Sequence, residues 1–211
     1  MWDTGQGTGA EEFAGEEGAM AVIGKLLKNA RADEARSAWN RPNLLGPETL
    51  TVTSEAFKDG AAIPLPHAGK RLGGSDLSPP LAWSAVPAGT ESILLVVEDL
   101  DSPFRTPIVH AMALIDPTVT MLDAGALAAR SPGAGVRVLR SFLGRGYRGP
   151  GPIPGHGPHR YVFQVFALGS TVGIVGLAGG VPLDEARPRA VLAAASGPVL
   201  ARGRLTGTYE R

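Results

Sequence analysis

The chain has 211 residues, with 20 lysines and arginines against 20 aspartates and glutamates, and no cysteine. That balance provides no global field to favour nucleic acid or an anionic membrane. The missing thiols exclude disulfides, thiolate metal sites and cysteine nucleophiles. Glycine (29) and proline (18) are abundant, which suits short strands joined by many turns in one sizeable domain. No apolar run reaches the roughly 18 residues that a spanning helix needs. Acidic Glu11, Glu12, Glu16 and Glu17 stand where a secretory leader would be positive. A cytoplasmic protein without a transmembrane segment is expected.

Residues 1–19 are glycine-rich and acidic, without hydrophobic period, and read as a disordered tail or a start upstream of Met20. From Ala21 to Trp39 the apolar Val22, Ile23, Leu26, Leu27 and Ala30 recur at helical spacing. This predicts a short amphipathic helix that packs on its own domain or on a second subunit, the latter making a homodimer. Breaks at Pro42 and Gly46-Pro47 then separate an extension, 1–46, from a domain, 47–211.

Thr51 to Phe57 alternates as a strand does, and Leu81-Ala82-Trp83 is a short apolar piece. Ile93-Leu94-Leu95-Val96-Val97 is a continuous apolar run of strand length, which argues for a central strand covered on both faces. Ile108 to Ile115 is the next strand. Residues 118–160 form one long excursion, with a short helical piece near Leu122–Ala129, and long excursions in compact domains are usually functional. Tyr161 to Leu168 is a strand, Val172 to Leu177 a short one, Leu183 to Ala195 a helix and Val199 to Tyr209 a final strand. Strand follows strand with little helix between, which predicts a mainly β fold, a sandwich with a few peripheral helices.

Chemistry concentrates at strand ends. Asp99 and Asp101 end the buried strand, and a spacing of two in extended chain points both carboxylates to one side. His110 lies early in the next strand. His159, Arg160 and Tyr161 stand where the run Gly149-Pro150-Gly151-Pro152-Ile153-Pro154-Gly155-His156-Gly157-Pro158 enters a strand. Prolines stiffen such a loop, and glycines let a ligand approach the main chain. Two aspartates and two histidines at one rim would suit an anion site, with carboxylates favouring protonated rings and loop N–H groups adding donors. A metal site or a hydrolytic site uses the same residue types. No Gly-x-Ser-x-Gly elbow supports the last, and the glycines and Pro158 around His156-x-x-His159 preclude a helical metal motif. Turn caps for Asp99 and Asp101, a satisfied core histidine at 110, and a structural ion pair for Arg160 are the plainer alternatives. Trp83, Phe163 and Phe166 read as core.

Several blocks in order resemble one family. They are Ser75-Asp76-Leu77-Ser78-Pro79-Pro80-Leu81-Ala82-Trp83, then Val97-Glu98-Asp99-Leu100-Asp101-Ser102-Pro103, then His110, then Gly149-Pro150-Gly151-Pro152 and Gly157-Pro158-His159-Arg160-Tyr161. Together they resemble the phosphatidylethanolamine-binding proteins, in particular the bacterial and archaeal branch often labelled Raf kinase inhibitor-like. The resemblance covers residues 47–211. It implies a Greek-key β-sandwich with a small pocket for phosphate-like anions, including phospholipid headgroups. It also implies a non-catalytic binder, or alternatively an inhibitor of a protease or kinase, without a cofactor. Carried onto this chain, the pocket takes Asp99, Asp101, His110, Gly151, Pro152, His159 and Tyr161. Leu100 stands where the family usually has proline, and Val109 and Ala111 flank His110 where an aromatic is common.

Overall fold

A computed structural model describes residues 9–172 and 181–211. Helix α1 (Gly9–Leu26) leads into three single-turn 3-10 helices at Glu34–Arg36, Ala38–Asn40 and Pro42–Leu44. The strands follow: β1 (Val52–Thr53), β2 (Leu81–Trp83), β3 (Ser92–Asp99), β4 (Ile108–Ile115), β5 (Met121–Leu122), β6 (Val136–Val138), β7 (Arg140–Ser141), β8 (Gly144–Arg145) and β9 (His159–Leu168). Helix α2 (Pro188–Ala194) and strand β10 (Val199–Tyr209) complete the chain.

The main sheet is antiparallel in the order β10-β9-β3-β4-β6. Strands β3, β4 and β6 lie side by side in chain order, with β5 of a second sheet between the last two in sequence, and β9 returns after the long excursion to lie beside β3, which is Greek-key order. A smaller sheet, β1-β2-β5, packs on one face. There Val52, Trp83 and Leu122 meet Ile93, Leu95, Val97, Phe163 and Val165. The opposite face carries Leu94, Val96, Met112 and Phe166, covered by Trp39, Leu44, Val191 and Leu192. Every residue of β3 is buried, as its unbroken apolar run predicts. Each fully buried Leu, Val or Phe of this kind contributes about 1.5–3 kcal/mol relative to exposure.

Five expectations differ in the structure. The strand expected over Thr51–Phe57 is only Val52–Thr53, followed by turns. The N-terminal helix covers Gly9–Leu26, not 21–39, so part of the segment read as a tail is helical. Residues 34–44, read as helix and linker, instead form turns packed on the main sheet. Arg202 of β10 holds them there, donating to Trp39 O at 2.6 Å with its guanidinium 4.0 Å from the Trp39 ring centroid. The second helix starts at Pro188 rather than Leu183, because proline is tolerated only in a first turn. Residues 122–129 hold the end of β5 and turns in place of a helix. The short strand expected at 172–177 lies, beyond Val172, outside the described residues.

Candidate functional site

Alternation in β3 sends Glu98 and Asp99 to opposite faces of the main sheet. Asp99 pairs in register with Tyr161 of β9 and Ile108 of β4. Between these strands Val97 faces Ala111 and Glu98 faces Val109, so His110 is an extra residue in β4. Such a bulge re-aims side chains. Here it brings the His110 ring edge-on to Tyr161, with centroids 5.1 Å apart. His159, first in β9, stacks over the same tyrosine at 6.4 Å.

Hydrogen bonds fix where protons sit. His156 Nε2 faces Ala30 O at 3.1 Å, and a carbonyl only accepts, so this nitrogen carries the hydrogen. His156 Nδ1 shares a hydrogen bond with His159 Nε2 at 2.7 Å. His159 Nδ1–H donates to Asp99 Oδ2 at 2.8 Å. The ring of His159 thus bridges Asp99 and His156, with one nitrogen on each. Asp99 Oδ1 accepts from Asp101 N–H at 2.9 Å. The chain Asp99–His159–His156 is nearly closed to solvent, with exposures of 4, 2 and 0 %.

His110 Nδ1–H donates to Arg148 O at 2.7 Å, which leaves Nε2 as an acceptor. Burial holds the His110 pKa below the usual imidazole range, against the opposing pull of Asp99. Burial also lowers His156, helped by the His159 charge and Arg31. The Tyr161 phenol is pushed well up by burial and by Asp99, while the Gly151 N–H works against the shift. It therefore stays protonated.

The glycine–proline loop is anchored from outside. Gly149 N–H donates to Asp76 Oδ1 at 2.9 Å, and a Cβ at Gly149 would collide with the backbone of 67–69. Gly155 and Gly157 take φ of +75 and +97°, a region that disfavours side chains. On the outer side of the loop lies a cavity of about 570 Å³, walled by Gly151 and Pro152 and ringed by Lys70, Arg71, Arg148 and Arg211.

Asp99, His110, His159 and Tyr161 meet at one rim, and Gly151 reaches them through the Tyr161 phenol. Gly151 and Pro152 also form the cavity wall, which no imidazole lines. Asp101 departs from the expected side-by-side placement, because it lies past the end of β3. Its Oδ2 accepts from Arg160 N–H and Nε–H, both at 2.8 Å, and Oδ1 stands 3.5 Å from Arg31 Nε. Burial would raise its pKa, but these guanidiniums and the Arg160 amide hold it below the usual carboxylate value. The structural ion pair expected for Arg160 is this one. Among the described residues no group of three or more His, Asp or Glu could hold a metal ion.

Sequence reasoning missed three contributors. His156 was set aside with the helical metal motif, although two imidazoles three residues apart in a tight turn can still meet. Arg31 and Gly24 sit in the N-terminal segment, which crosses the loop. A Cβ at Gly24 would collide with Pro154 O. Arg31 Nη1 lies against the His156 ring, 3.0 Å from each nitrogen. Its Nη2 donates to His156 O at 3.3 Å.

A family model described as phosphatidylethanolamine-binding protein matches residues 53–210. The chain belongs to the phosphatidylethanolamine-binding protein family. Bacterial and archaeal members are among the similar proteins. A UPF0098 protein of Mycobacterium tuberculosis is 37 % identical over 210 residues, covering 91 % of this chain and 94 % of the relative. A putative lipoprotein of the same organism, LppC, is 35 % identical over 163 residues, covering 77 and 73 %. Among solved structures, E. coli YbcL, described as a new member of the mammalian PEBP family, is 30 % identical. It superposes with a TM-score of 0.66, covering 77 % of this chain and 98 % of YbcL. The β-sandwich expected from the sequence is therefore the family fold. No helix among the described residues is long and apolar enough to cross a membrane.

Proposed function

We propose that this family member is a non-catalytic binding protein whose ligand carries a phosphate-like anionic group, held where Asp99, His110, His159 and Tyr161 meet behind Gly151 and Pro152. The convergence of two imidazoles, one carboxylate and one phenol under a glycine–proline loop is the observation that supports it most. The cations around the outer cavity supply an approach path for an anion. In the site, the anion takes hydrogen bonds from the Tyr161 phenol and from His110, which gains a proton at Nε2 on binding. His159 stays hydrogen-bonded to Asp99. Calorimetric titration with inorganic phosphate and with phosphoethanolamine tests this. Binding to the wild type and none to His159→Ala is expected, and equal binding to both contradicts it. A preference for phosphoethanolamine points to a lipid headgroup, and equal affinity to phosphate itself.

The buried imidazoles add a condition. Ligand reaches them after residues 24–31 leave the Pro154–His156 turn, so the segment acts as a cover. The cytoplasm is the proposed location, with fractionation as its test.

A second reading, a protein-interaction module inhibiting a protease or kinase, is favoured by one patch. Phe104 and Phe142, 55 and 66 % exposed, hold their rings 6.5 Å apart beside exposed Leu143. Exposed aromatic pairs serve as anchors in interfaces. If partner capture survives His159→Ala but not the Phe142→Ser change, the loops are the interacting element. The exposed Val22, Ile23 and Leu26 of α1 are the face proposed for a homodimer, which sedimentation at rising concentration tests.

A further inference from the structure

On the other face of the main sheet, directly behind Asp99, Glu98 lines a separate cavity of about 270 Å³. Glu98 is 2 % exposed. Its Oε2 accepts from Ala38 N–H and from Gln164 Nε2–H, both at 2.8 Å. Oε1 accepts no hydrogen bond among the described residues. Three guanidiniums line the same cavity: Arg36 is paired with Asp33, whereas Arg41 and Arg189 have no carboxylate within ion-pairing distance among the described residues. Arg41 Nε is buried without any hydrogen-bond partner. Val109, Leu192 and Pro107 complete the walls with apolar surface.

A buried guanidinium nitrogen without a partner, as at Arg41, is costly for a fold to keep, and Glu98 leaves Oε1 free in the same cavity. Burial pushes the Glu98 carboxyl up despite its two donors and Arg41. Burial lowers Arg41, and Arg189 lowers it further. One kind of ligand relieves both groups. It brings an anion to the arginines and a cation to the glutamate, on a body small enough for the cavity. We propose that this cavity binds a small α-amino acid as its zwitterion. The carboxylate lies between Arg41 and Arg189, the ammonium donates to Glu98 Oε1, and the side chain rests on Val109 and Leu192. Arginine suits the carboxylate end because its planar fork matches two oxygens at once. The site shares no side chain with the histidine cluster and does not depend on its function.

The test uses the full-length protein and amide NMR titrations with L-alanine, with propionate, which lacks the ammonium, and with ethylamine, which lacks the carboxylate. The proposal expects shifts at Glu98, Val109, Arg189 and Leu192. It also expects L-alanine to bind about tenfold or more tighter than either fragment, the usual worth of one charge-assisted hydrogen bond. Arg189→Ala, an exposed change at the start of α2, weakens L-alanine and propionate together. Glu98→Gln keeps a side chain of the same shape and removes the preference of L-alanine over propionate. Equal affinity for L-alanine and propionate overturns the proposal. So does a response to inorganic phosphate at these amides with none to L-alanine, or the absence of any response there.

Discussion

At the scale of the residue, the site is a set of protons fixed by acceptors. His156 stands between Ala30 O and His159, and His159 between His156 and Asp99. Asp99→Asn removes the counter-charge of a buried pair while keeping its shape. It is expected to lower stability by about 3 kcal/mol, in the range for losing one partner of a buried pair. Chemical denaturation measures this, and an unchanged midpoint would show that the Asp99–His159 contact does not support the fold. The lowered pKa values of His110 and His156 have a signed consequence for stability. Unfolding returns each ring to its ordinary value near 6.5, so the unfolded chain takes up protons first as pH falls. Their contribution is complete above that pH and is lost as pH drops through it towards the folded values. Ligand binding runs the other way. A bound anion favours protonated His110, so affinity for sulfate, which does not titrate here, should rise as pH falls from 8 to 6. The limit is about tenfold per pH unit for one proton taken up. Flat affinity across this range removes His110 from the site.

At the scale of the element, the central strands were legible because their burial leaves little room for other patterns. β3 and β9 are nearly continuous apolar runs, and Asp99, His110, His159 and Tyr161 were found because they interrupt or end such runs. The bulge that aims His110 was not legible, since one extra residue alters no local pattern. The N-terminal helix was displaced in the reading because tertiary contacts outweigh its periodicity. After Leu26 the chain turns to carry Arg31 to Asp101 and His156. Pro188 did contain the correct start of α2, as proline has no place in the interior of a helix. Gly24 is where the cover can be tested. Gly24→Val places a side chain against Pro154 O, which forces the segment off the loop. Faster amide exchange over 149–158 is expected, together with tighter phosphate binding, because the cover no longer competes with ligand. Weaker binding with unchanged exchange would mean that residues 24–31 help to build the site.

At the scale of the whole molecule, the main sheet has a different partner on each face, and the sites proposed here lie back to back through β3. The boundary read near residue 46 left 34–44 in the extension, as the end of a helix and a linker, yet they bury Trp39 and Leu44 against the main sheet. Leu44→Ala should cost about 2–5 kcal/mol, as core leucine deletions do, and an effect under about 0.5 kcal/mol, as for surface changes, would place the segment outside the fold. The neutral net charge hid a local excess of cations beside the glycine–proline loop, which only the folded chain assembles. The histidine side-chain NMR spectrum, recorded while inorganic phosphate is added, tests the central claim most directly. The His110 and His159 resonances are expected to shift together and to saturate with one affinity, and both responses should vanish in Asp99→Asn. Saturating phosphate that leaves both rings unmoved in the wild type would contradict an anion site at this rim.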